Sequence, residues 1–423
     1  MMKVFKFGGA SVKDSAAVRN MARIVANYAQ HPLVVVVSAM GKTTNAIERI
    51  HAARFNGESY EKEFNEVAQY HRQLTDELFG DNPSGRSALQ VQLDAFLRAL
   101  SQPCSPHFDQ EYDALIGYGE LLSTAIIAAF LQKEGIPSRW MDARELIVTD
   151  NRFRDARVNW EESALRMNSV KQALSENTVC VLQGFIGSTF DGRSTSLGRE
   201  GSDFTAAIMA YLLDATDVTI WKDVPGMLNA DPKKFNDTVK LDRISFKEAI
   251  ELAYYGASVI HPKTIKPLQN KGIPLHIKSF VDPNASGSII QEGGESDQLV
   301  PSYIVKENQT LFSISTRDFS FIVEDNLKEI FGTLSELGIR VHLMENSAIS
   351  FSIVFDTDKH KQQLLIEQLQ ARYSVKFNEE LTLLTIRHGN DESVKRFKNP
   401  GQTLIEQRTR HTMRMVMKPQ KTQ

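Results

Sequence analysis

The segment Lys3-Val-Phe-Lys-Phe-Gly-Gly-Ala-Ser11 places an apolar strand, two glycines and the start of a helical pattern in direct succession. Glycines let a backbone approach an anion closely, and the first N–H groups of a helix point at it. Lys6 lies two residues before the turn, within reach of the same anion. Such turns also occur without a phosphate. The segment therefore predicts an α/β fold and leaves phosphate binding open.

Short apolar runs recur as far as about residue 290 and alternate with amphipathic stretches. Strands buried on both faces of a sheet are continuously apolar, so this pattern predicts a mainly parallel sheet covered by helices on both faces. The predicted strands are residues 4–7, 33–37, 136–141, 179–182, 218–221 and 275–277. Ligands of such sheets bind where the carboxyl ends of strands meet the following loops.

Composition narrows the classes of function. A chain of 423 residues predicts two or three domains. Its net charge of −3 lacks the positive excess that is typical of nucleic-acid-binding proteins, which favours a small-molecule substrate. Cys104 and Cys180 have neither metal-ligand nor redox spacing, so we expect a reducing, cytoplasmic location and no metal site. No run approaches the ~18 apolar residues of a membrane span.

Two composition shifts divide the chain. Residues 52–113 predict a polar, helical insertion that packs on the surface of the sheet, and residues 282–301 predict a linker rich in proline and glycine. After it, residues 309–377 predict the order βαββαβ. Further strands at 381–386 and 412–417 leave too little chain for a second complete module. The predicted domains are 1–293 and 305–423, the latter with a truncated second module.

Two early loops carry candidate residues. Gly41-Lys42-Thr43 resembles the end of a phosphate-binding P-loop, but Val36 stands where that motif needs its first glycine. Thr44 or Asn45 then either binds a substrate or caps the helix. In the loop 117–120, Glu120 either caps a buried helix or binds a cation such as a substrate ammonium.

The densest group of candidates follows the strand 179–182. Glycines and hydroxyl residues fill 184–202, with Arg199 and Asp203 at the start of a helix. Arg199 suits a carboxylate because its planar fork bonds both oxygens. The alternative is a surface turn in which Asp203 is only an N-cap.

A last loop, 221–234, offers lysines and aspartates for nucleotide phosphates and Mg²⁺, or for solvent alone. His261 is interpreted as structural, and no Ser-His-Asp set is apparent. This inventory suits phosphoryl transfer, which depends on positioning and charge neutralisation.

Six ordered blocks resemble the signatures of aspartate kinases. They are Lys6-Phe-Gly-Gly-Ala-Ser11, Gly119-Glu120, Gly184-Phe-Ile-Gly187, Leu197-Gly-Arg-Glu-Gly-Ser-Asp203, Trp221-Lys-Asp-Val-Pro-Gly226 and His261-Pro262. The C-terminal module resembles their regulatory ACT domains. The resemblance implies an amino-acid-kinase fold that transfers the γ-phosphoryl group of MgATP to the side-chain carboxylate of L-aspartate, the first step towards lysine, threonine and methionine.

The resemblance also implies roles for single residues. Lys6 would neutralise the transferring phosphoryl group, and Asp203 would orient Lys6 or the reacting groups. Substrate would be bound by Thr44, Glu120, Arg199, Gly201 and Ser202. Nucleotide would be bound by Lys6, Gly8, Gly9, Lys222, Asp223, Gly226, Asp231 and Lys233.

Several positions depart from the family pattern, most of them on the nucleotide side: Ala10, Lys222, Leu228, Lys233 and Ser258. In the ACT-like region His342 and the segment 323–325 also depart from the family pattern. These departures favour a homodimer interface over feedback by lysine or threonine as the role of this region. They do not identify an amino-acid effector. Two alternatives remain: another amino-acid kinase, with a glutamate-type substrate, or an amino-acid sensor whose catalytic half has decayed.

Overall fold

The computed structural model of the chain describes residues 1–257, 260–293, 300–397 and 401–419. It forms two compact units. The first comprises Met1–Met227, Lys240–Ala253 and the described part of Ser258–Gln298, and the second comprises Leu228–Val239, Tyr254–Ala257 and the described part of Leu299–Gln423. Ser258, a predicted departure from the family pattern, lies outside the described residues.

The described helices before residue 280 follow the predicted alternation. A 3₁₀ helix, Gly9–Val12, comes directly after the first strand. The α-helices are α1 (Ser15–Ala26), α2 (Thr43–Phe55), α3 (Glu61–Phe79), α4 (Pro83–Ser101), α5 (Phe108–Ile116), α6 (Tyr118–Lys133), α7 (Ala143–Leu146), α8 (Trp160–Leu165), α9 (Asn168–Ser175), α10 (Gly201–Leu212), α11 (Phe246–Tyr255) and α12 (Pro262–Lys271).

The described strands before residue 300 include all six predicted ones, with ends shifted by one or two residues. They are β1 (Lys3–Phe7), β2 (Leu33–Val37), β3 (Ser138–Met141), β4 (Val148–Thr149), β5 (Val179–Gln183), β6 (Ile186–Thr189), β7 (Ser194–Ser196), β8 (Asp217–Lys222), β9 (Met227–Leu228), β10 (Lys240–Leu241), β11 (Arg243–Ser245), β12 (Leu275–Ser279) and β13 (Ser288–Gln291). The last of these lies inside the predicted linker, which is therefore partly strand.

An eight-stranded sheet is the centre of the first unit as described, with the order β11-β13-β12-β8-β1-β2-β5-β3. The strands from β12 to β3 pair in parallel, and β12 and β13 pair antiparallel. Every residue of β2 and β5 is buried. Because successive side chains alternate between faces, burial of all of them means that both faces are covered, as the continuous apolar runs predicted.

The helical insertion forms α3, α4 and α5, as predicted. Its last helix continues almost directly into α6, whose residues are nearly all buried. The combined stretch Phe108–Lys133 has the length and mean hydropathy (1.8) of a membrane span, but 94% of its most apolar window is buried inside the protein. A helix that is apolar all round is typical of a core helix.

The second unit contains a six-stranded antiparallel sheet in its described part, with the order β15-β16-β14-β17-β19-β18. Its elements are β14 (Ser302–Thr316), α13 (Glu324–Glu336), β15 (Val341–Asn346), β16 (Ser350–Asp356), α14 (Lys359–Leu369), β17 (Tyr373–Arg387), α15 (Asp391–Lys395), β18 (Thr403–Arg408) and β19 (Thr412–Met417). The predicted βαββαβ order is present, and its helices and strands share one apolar core.

The two long strands β14 and β17 run through both halves of this sheet. Ser302–Lys306 of β14 pairs with the end of β17, which then pairs with β19. Short α15 and β18 were not predicted from the sequence. The strand predicted at 381–386 is part of β17 and not a separate element.

Candidate active site

The candidate active site lies at the carboxyl edge of the large sheet. In the parallel register Phe7 pairs with Val37 on one side and with Trp221 on the other, so the loops that follow β1, β2 and β8 begin side by side. A cavity of about 480 Å³ lies there. It is lined by Lys6, Ser38, Thr44, Tyr112, Glu120, Arg154, Phe185, Ser196, Gly198, Arg199, Glu200, Gly201, Ser202, Asp203 and Lys222.

A buried charge cluster lines this cavity. The Lys6 ammonium, near the end of β1, is 2.6 Å from Oδ1 of Asp203, in the first turn of α10. The Lys222 ammonium, at the end of β8, is 3.4 Å from Oδ2. Burial alone would raise the pKa of Asp203, but the two ammonium groups overcome this and lower it. Asp203 is therefore an anion held between two cations.

Glu120 is a buried carboxyl group within the first turn of α6, where the sequence predicted a loop. Its Oε1 accepts a 3.3 Å hydrogen bond from the N–H of Ala39, and its Oε2 is buried without a described hydrogen-bond partner. Burial raises the pKa of Glu120 to about 8. Gly119 permits this close approach, because a Cβ there would lie 2.9 Å from the Ala39 side chain. The ligand-free site thus contains a carboxyl group that keeps its proton at neutral pH unless a further cation comes beside it.

The glycine-rich segment is packed into the fold and is not the surface turn considered as an alternative. It forms the hairpin β6–β7 and then turns into α10 at Glu200, which is the N-cap, so Asp203 is not. A Cβ on Gly184 would lie 2.4 Å from Ser202, and one on Gly201 would lie 2.7 Å from Phe185. These contacts explain why glycine is required at both places.

Arg199 also lines the cavity from a loop, and Thr44 lines it from the start of α2. The Arg199 side chain is exposed at the rim. Thr44 lies in the first turn of α2, but the N-cap is Lys42, so the capping interpretation of Thr44 is wrong. Gly201 and Ser202 line the same wall.

Other predicted nucleotide residues do not line this cavity. Gly8 and Gly9 lie beside it: a Cβ on Gly8 would be 3.4 Å from the Lys6 ammonium, and one on Gly9 would be 2.7 Å from the Ala39 carbonyl oxygen. Gly226 packs against Ser288 with a φ of 152°. The remaining residues are Asp223 in the first unit and Asp231 and Lys233 in the second, where Asp231 accepts a hydrogen bond from the Lys233 N–H.

The sequence analysis missed an arginine and a tyrosine in the cavity wall. The guanidinium of Arg154 lies 4.5 Å from the ring centre of Tyr112, which α5 supplies. The helical insertion therefore contributes to the cavity and is more than surface packing. Asp113 fixes this corner: its carboxylate accepts hydrogen bonds from the N–H of Arg154 at 2.9 Å and from the Ser196 hydroxyl at 2.6 Å.

Three residues with strained backbone line this cavity. Of the nine non-glycine residues with positive φ in the described part of the chain, Arg154 (65°), Phe185 (72°) and Glu200 (54°) line it. Strained backbone is commonly retained at functional sites. The sequence carried no signal for these three positions, because patterns assign positive φ to glycine.

The cavity combines four cations with three carboxyl groups: Lys6, Arg154, Arg199 and Lys222 with Glu120, Glu200 and Asp203. Among the described residues, no group of three or more histidine, cysteine, aspartate or glutamate side chains is arranged to hold a metal ion. Such a site can bind a polyanion at its lysines and an amino acid through an arginine and a carboxylate.

Comparison with known proteins agrees with this chemistry. The profile of the amino acid kinase family matches residues 1–279. Lysine-sensitive aspartokinase 3 of Escherichia coli is 33% identical over 401 residues, which cover 92% of this chain and 87% of that protein. The bifunctional aspartokinase/homoserine dehydrogenase 2 of Arabidopsis thaliana is 33% identical over 388 residues. The chain spans only 42% of the length of that plant relative.

Two solved structures of an aspartokinase are similar to this chain over nearly its whole length. E. coli aspartokinase III in complex with lysine and aspartate has a TM-score of 0.82 and 28% identity, covering 99% of this chain and 96% of that one. The same enzyme with aspartate and ADP has a TM-score of 0.80 and 27% identity over the same shares of both chains.

Proposed function

The chain belongs to the amino acid kinase family and, within it, to the aspartokinases, and we propose that it transfers the γ-phosphoryl group of ATP to the side-chain carboxylate of L-aspartate. The products would be ADP and 4-phospho-L-aspartate. The observation that carries this proposal is one cavity that holds both an ammonium pair, Lys6 and Lys222 on Asp203, and the two side chains suited to an amino acid, Arg199 and Glu120.

The reaction needs no general base. A side-chain carboxylate with a pKa near ~4 is already ionised at neutral pH and attacks the γ-phosphorus directly. The bond from that phosphorus to the oxygen of the β-phosphate breaks, and ADP leaves. The obstacle is repulsion between two anions, and the ammonium groups of Lys6 and Lys222 offset it where negative charge accumulates.

Arg199 and Glu120 would recognise the other charges of aspartate. The planar fork of Arg199 suits the α-carboxylate. Glu120 suits the α-ammonium, because a cation beside its buried carboxyl group would favour the ionised form. Mg²⁺ would arrive with the nucleotide. Magnesium sites commonly use substrate phosphates with one or two carboxylates, so they need no larger cluster of protein ligands. Among the described residues no such larger cluster is found.

A hydroxamate assay tests this function. The purified protein is incubated with MgATP and L-aspartate, and the acyl phosphate is trapped with hydroxylamine. Product with aspartate is expected. Product with glutamate or acetylglutamate alone would replace the substrate, and no product with any acid would favour the amino-acid sensor.

We also propose that the second unit serves self-association and effector binding in a cytoplasmic enzyme of lysine biosynthesis. Phe319 and Phe321 expose 79% and 69% of their surface, and rings in such a position favour an interface between copies of the chain. E. coli aspartokinase III was solved with lysine, which supports an amino-acid effector here. Light scattering of the protein and of Phe319→Ser, with lysine, threonine or methionine added, tests both points.

A further inference from the structure

A second cavity, of about 890 Å³, lies within the first unit and shares no lining residue with the candidate active site. Its lining comes from the segment 152–160, from α10 and from α12. Its volume is within the range of pockets that enclose a small ligand. The proposed reaction makes no use of this cavity.

Three aromatic rings form an apolar part of its lining. The ring of Trp160 lies 5.0 Å from that of Tyr211 and 6.5 Å from that of Phe204, edge to face in both pairs. Trp160 and Tyr211 are only half-buried, so part of each ring is accessible from the cavity. Aromatic groups pack well on such rings. The cluster therefore favours a ligand with a flat apolar ring.

The charges of the lining are mainly positive. Four cations, Arg152, Arg157, Lys263 and Lys266, accompany one carboxylate, Asp155. The Lys263 ammonium forms an ion pair with that carboxylate. The side chains of Arg152, Arg157 and Lys266 form no ion pair with any residue that the structure describes, and all three are exposed. The lining thus has an excess of positive charge that is complementary to an anion.

A single carboxylate fixes the backbone of the two arginines. Oδ1 of Asp150 accepts hydrogen bonds from the N–H of Arg152 at 3.2 Å and from the N–H of Arg157 at 2.9 Å. Both guanidinium groups therefore start from one closed loop. Even when Asp150 is counted, the cations outnumber the carboxylates by four to two. A planar guanidinium can bond both oxygens of a carboxylate or two oxygens of a phosphate.

Residues of the two cavities are in direct contact. The N–H of Ala156, in the second cavity, donates to the carbonyl oxygen of Ser196, in the active site, at 3.0 Å. A Cβ on Gly198, also in the active site, would lie 2.7 Å from Oδ1 of Asp155. A ligand in the second cavity would therefore bind beside the active site without occupying it.

We propose that the second cavity binds a small ligand that joins a flat apolar ring system to an oxyanion, either a carboxylate or a phosphate. The ring would pack on Trp160 and Tyr211, and the oxyanion would accept hydrogen bonds from Arg152 or Arg157. No bond is made or broken there. This binding does not depend on the proposed kinase function.

Calorimetry with three compounds that share one ring system tests the ligand class. Naphthylacetate carries a carboxylate, naphthyl phosphate carries a phosphate, and naphthylacetamide is neutral. At least one of the two anions should bind, and the amide should bind at least about tenfold more weakly, because hydrogen bonds to a charged group are stronger. The tighter of the two anions identifies the oxyanion. If neither anion binds at millimolar concentration, or if the amide binds as tightly as the better anion, the inference is wrong.

Variants place the bound compound. Trp160→Ala and the double variant Arg152→Gln/Arg157→Gln should each weaken binding of the better anion about tenfold. The matched control is Arg23→Gln/Arg243→Gln, which removes two exposed arginines that do not line this cavity, and it should bind as the wild type does.

Thermal unfolding shows whether each variant is folded, and the two exposed arginines keep the test valid if Trp160→Ala unfolds. Saturating ADP and aspartate should not displace the anion. Unchanged binding in the arginine double variant, or displacement by ADP or aspartate, would show that the anion binds elsewhere and would overturn the inference.

Discussion

Glu120→Gln should make the ligand-free protein more stable while it weakens aspartate binding. The carboxyl group is 3% exposed, and its pKa is raised to about 8, chiefly by burial, from a model-peptide value of 4.5. A glutamine amide has nearly the same shape and no charge to bury. Its oxygen can still accept the hydrogen bond from Ala39.

The size and the pH dependence of this change in stability follow from the difference between the pKa of Glu120 in the folded and in the unfolded chain. Below pH 4.5 the group is protonated in both the folded and the unfolded chain, and it contributes nothing. Between pH 4.5 and 8 the unfolded chain has lost the proton and the folded chain has kept it, so stability falls as pH rises. The penalty is about 3 kcal/mol at pH 7 and about 5 kcal/mol above pH 8, from ~1.4 kcal/mol for each unit of pKa difference.

Urea unfolding of the wild type and of Glu120→Gln at pH 5, 7 and 8.5 measures this penalty. The variant should gain under about 1 kcal/mol at pH 5 and progressively more at the higher values. Glu134→Gln, an exposed change near the end of the same helix, should show no such trend. A stability difference that does not grow with pH would refute the reasoning, because it would mean that Glu120 is ionised in the folded protein.

Three further changes test single contacts of the site. Lys6→Ala should lower kcat about 10²–10³-fold with the fold retained, because Lys222 still partners Asp203; near-normal turnover would remove Lys6 from the mechanism. Arg199→Lys should raise the KM for aspartate about tenfold, since the charge remains and the fork is lost; an unchanged KM would contradict that assignment. Asp113→Asn should destabilise the protein by about 1–3 kcal/mol in urea unfolding, because three donors then share one oxygen acceptor, and unchanged stability would argue against this network.

The large sheet was predictable because its strands obey a simple physical rule. A strand covered on both faces must be apolar throughout, and the runs at 33–37 and 179–182 stand out for that reason. The hairpin β6–β7 does not obey it. Its residues are mostly serine, threonine and glycine, although it is buried and packs against α5, α7 and α10. Composition therefore gave no strand signal there.

The long strands of the second unit were missed for a different reason. Each of β14 and β17 has 15 residues and crosses from one half of the sheet to the other. Polar residues fill the crossing, so the pattern predicted a break. The structure instead bends each strand without ending it, with positive φ at Asn308 and Glu380 and register shifts between Lys306 and Leu311.

The site was predictable where its loops come directly after strands of the large sheet. Parallel strands that end level bring the loops after them together, so Lys6 near the end of β1 and Lys222 at the end of β8 could be expected near each other once the strands were placed. Arg154 and Tyr112 come from segments that do not directly follow a strand of the large sheet. Their positions depend on tertiary packing around Asp113, which local pattern does not encode.

The residues with strained backbone should affect the rate of the proposed reaction more than the affinity for its substrates. The N–H of Phe185 donates to Thr205 Oγ1 at 2.9 Å, and the N–H of Arg154 donates to Asp113, so buried hydrogen bonds hold both left-handed conformations. Loops fixed in this way would need little rearrangement in the proposed reaction, when charge moves from the γ-phosphate to ADP. Because catalysis by fixed charges depends on avoiding such rearrangement, the strain at Arg154, Phe185 and Glu200 is best understood as stability given up for preorganisation. Substitutions that relax it should therefore lower kcat more than they raise either KM.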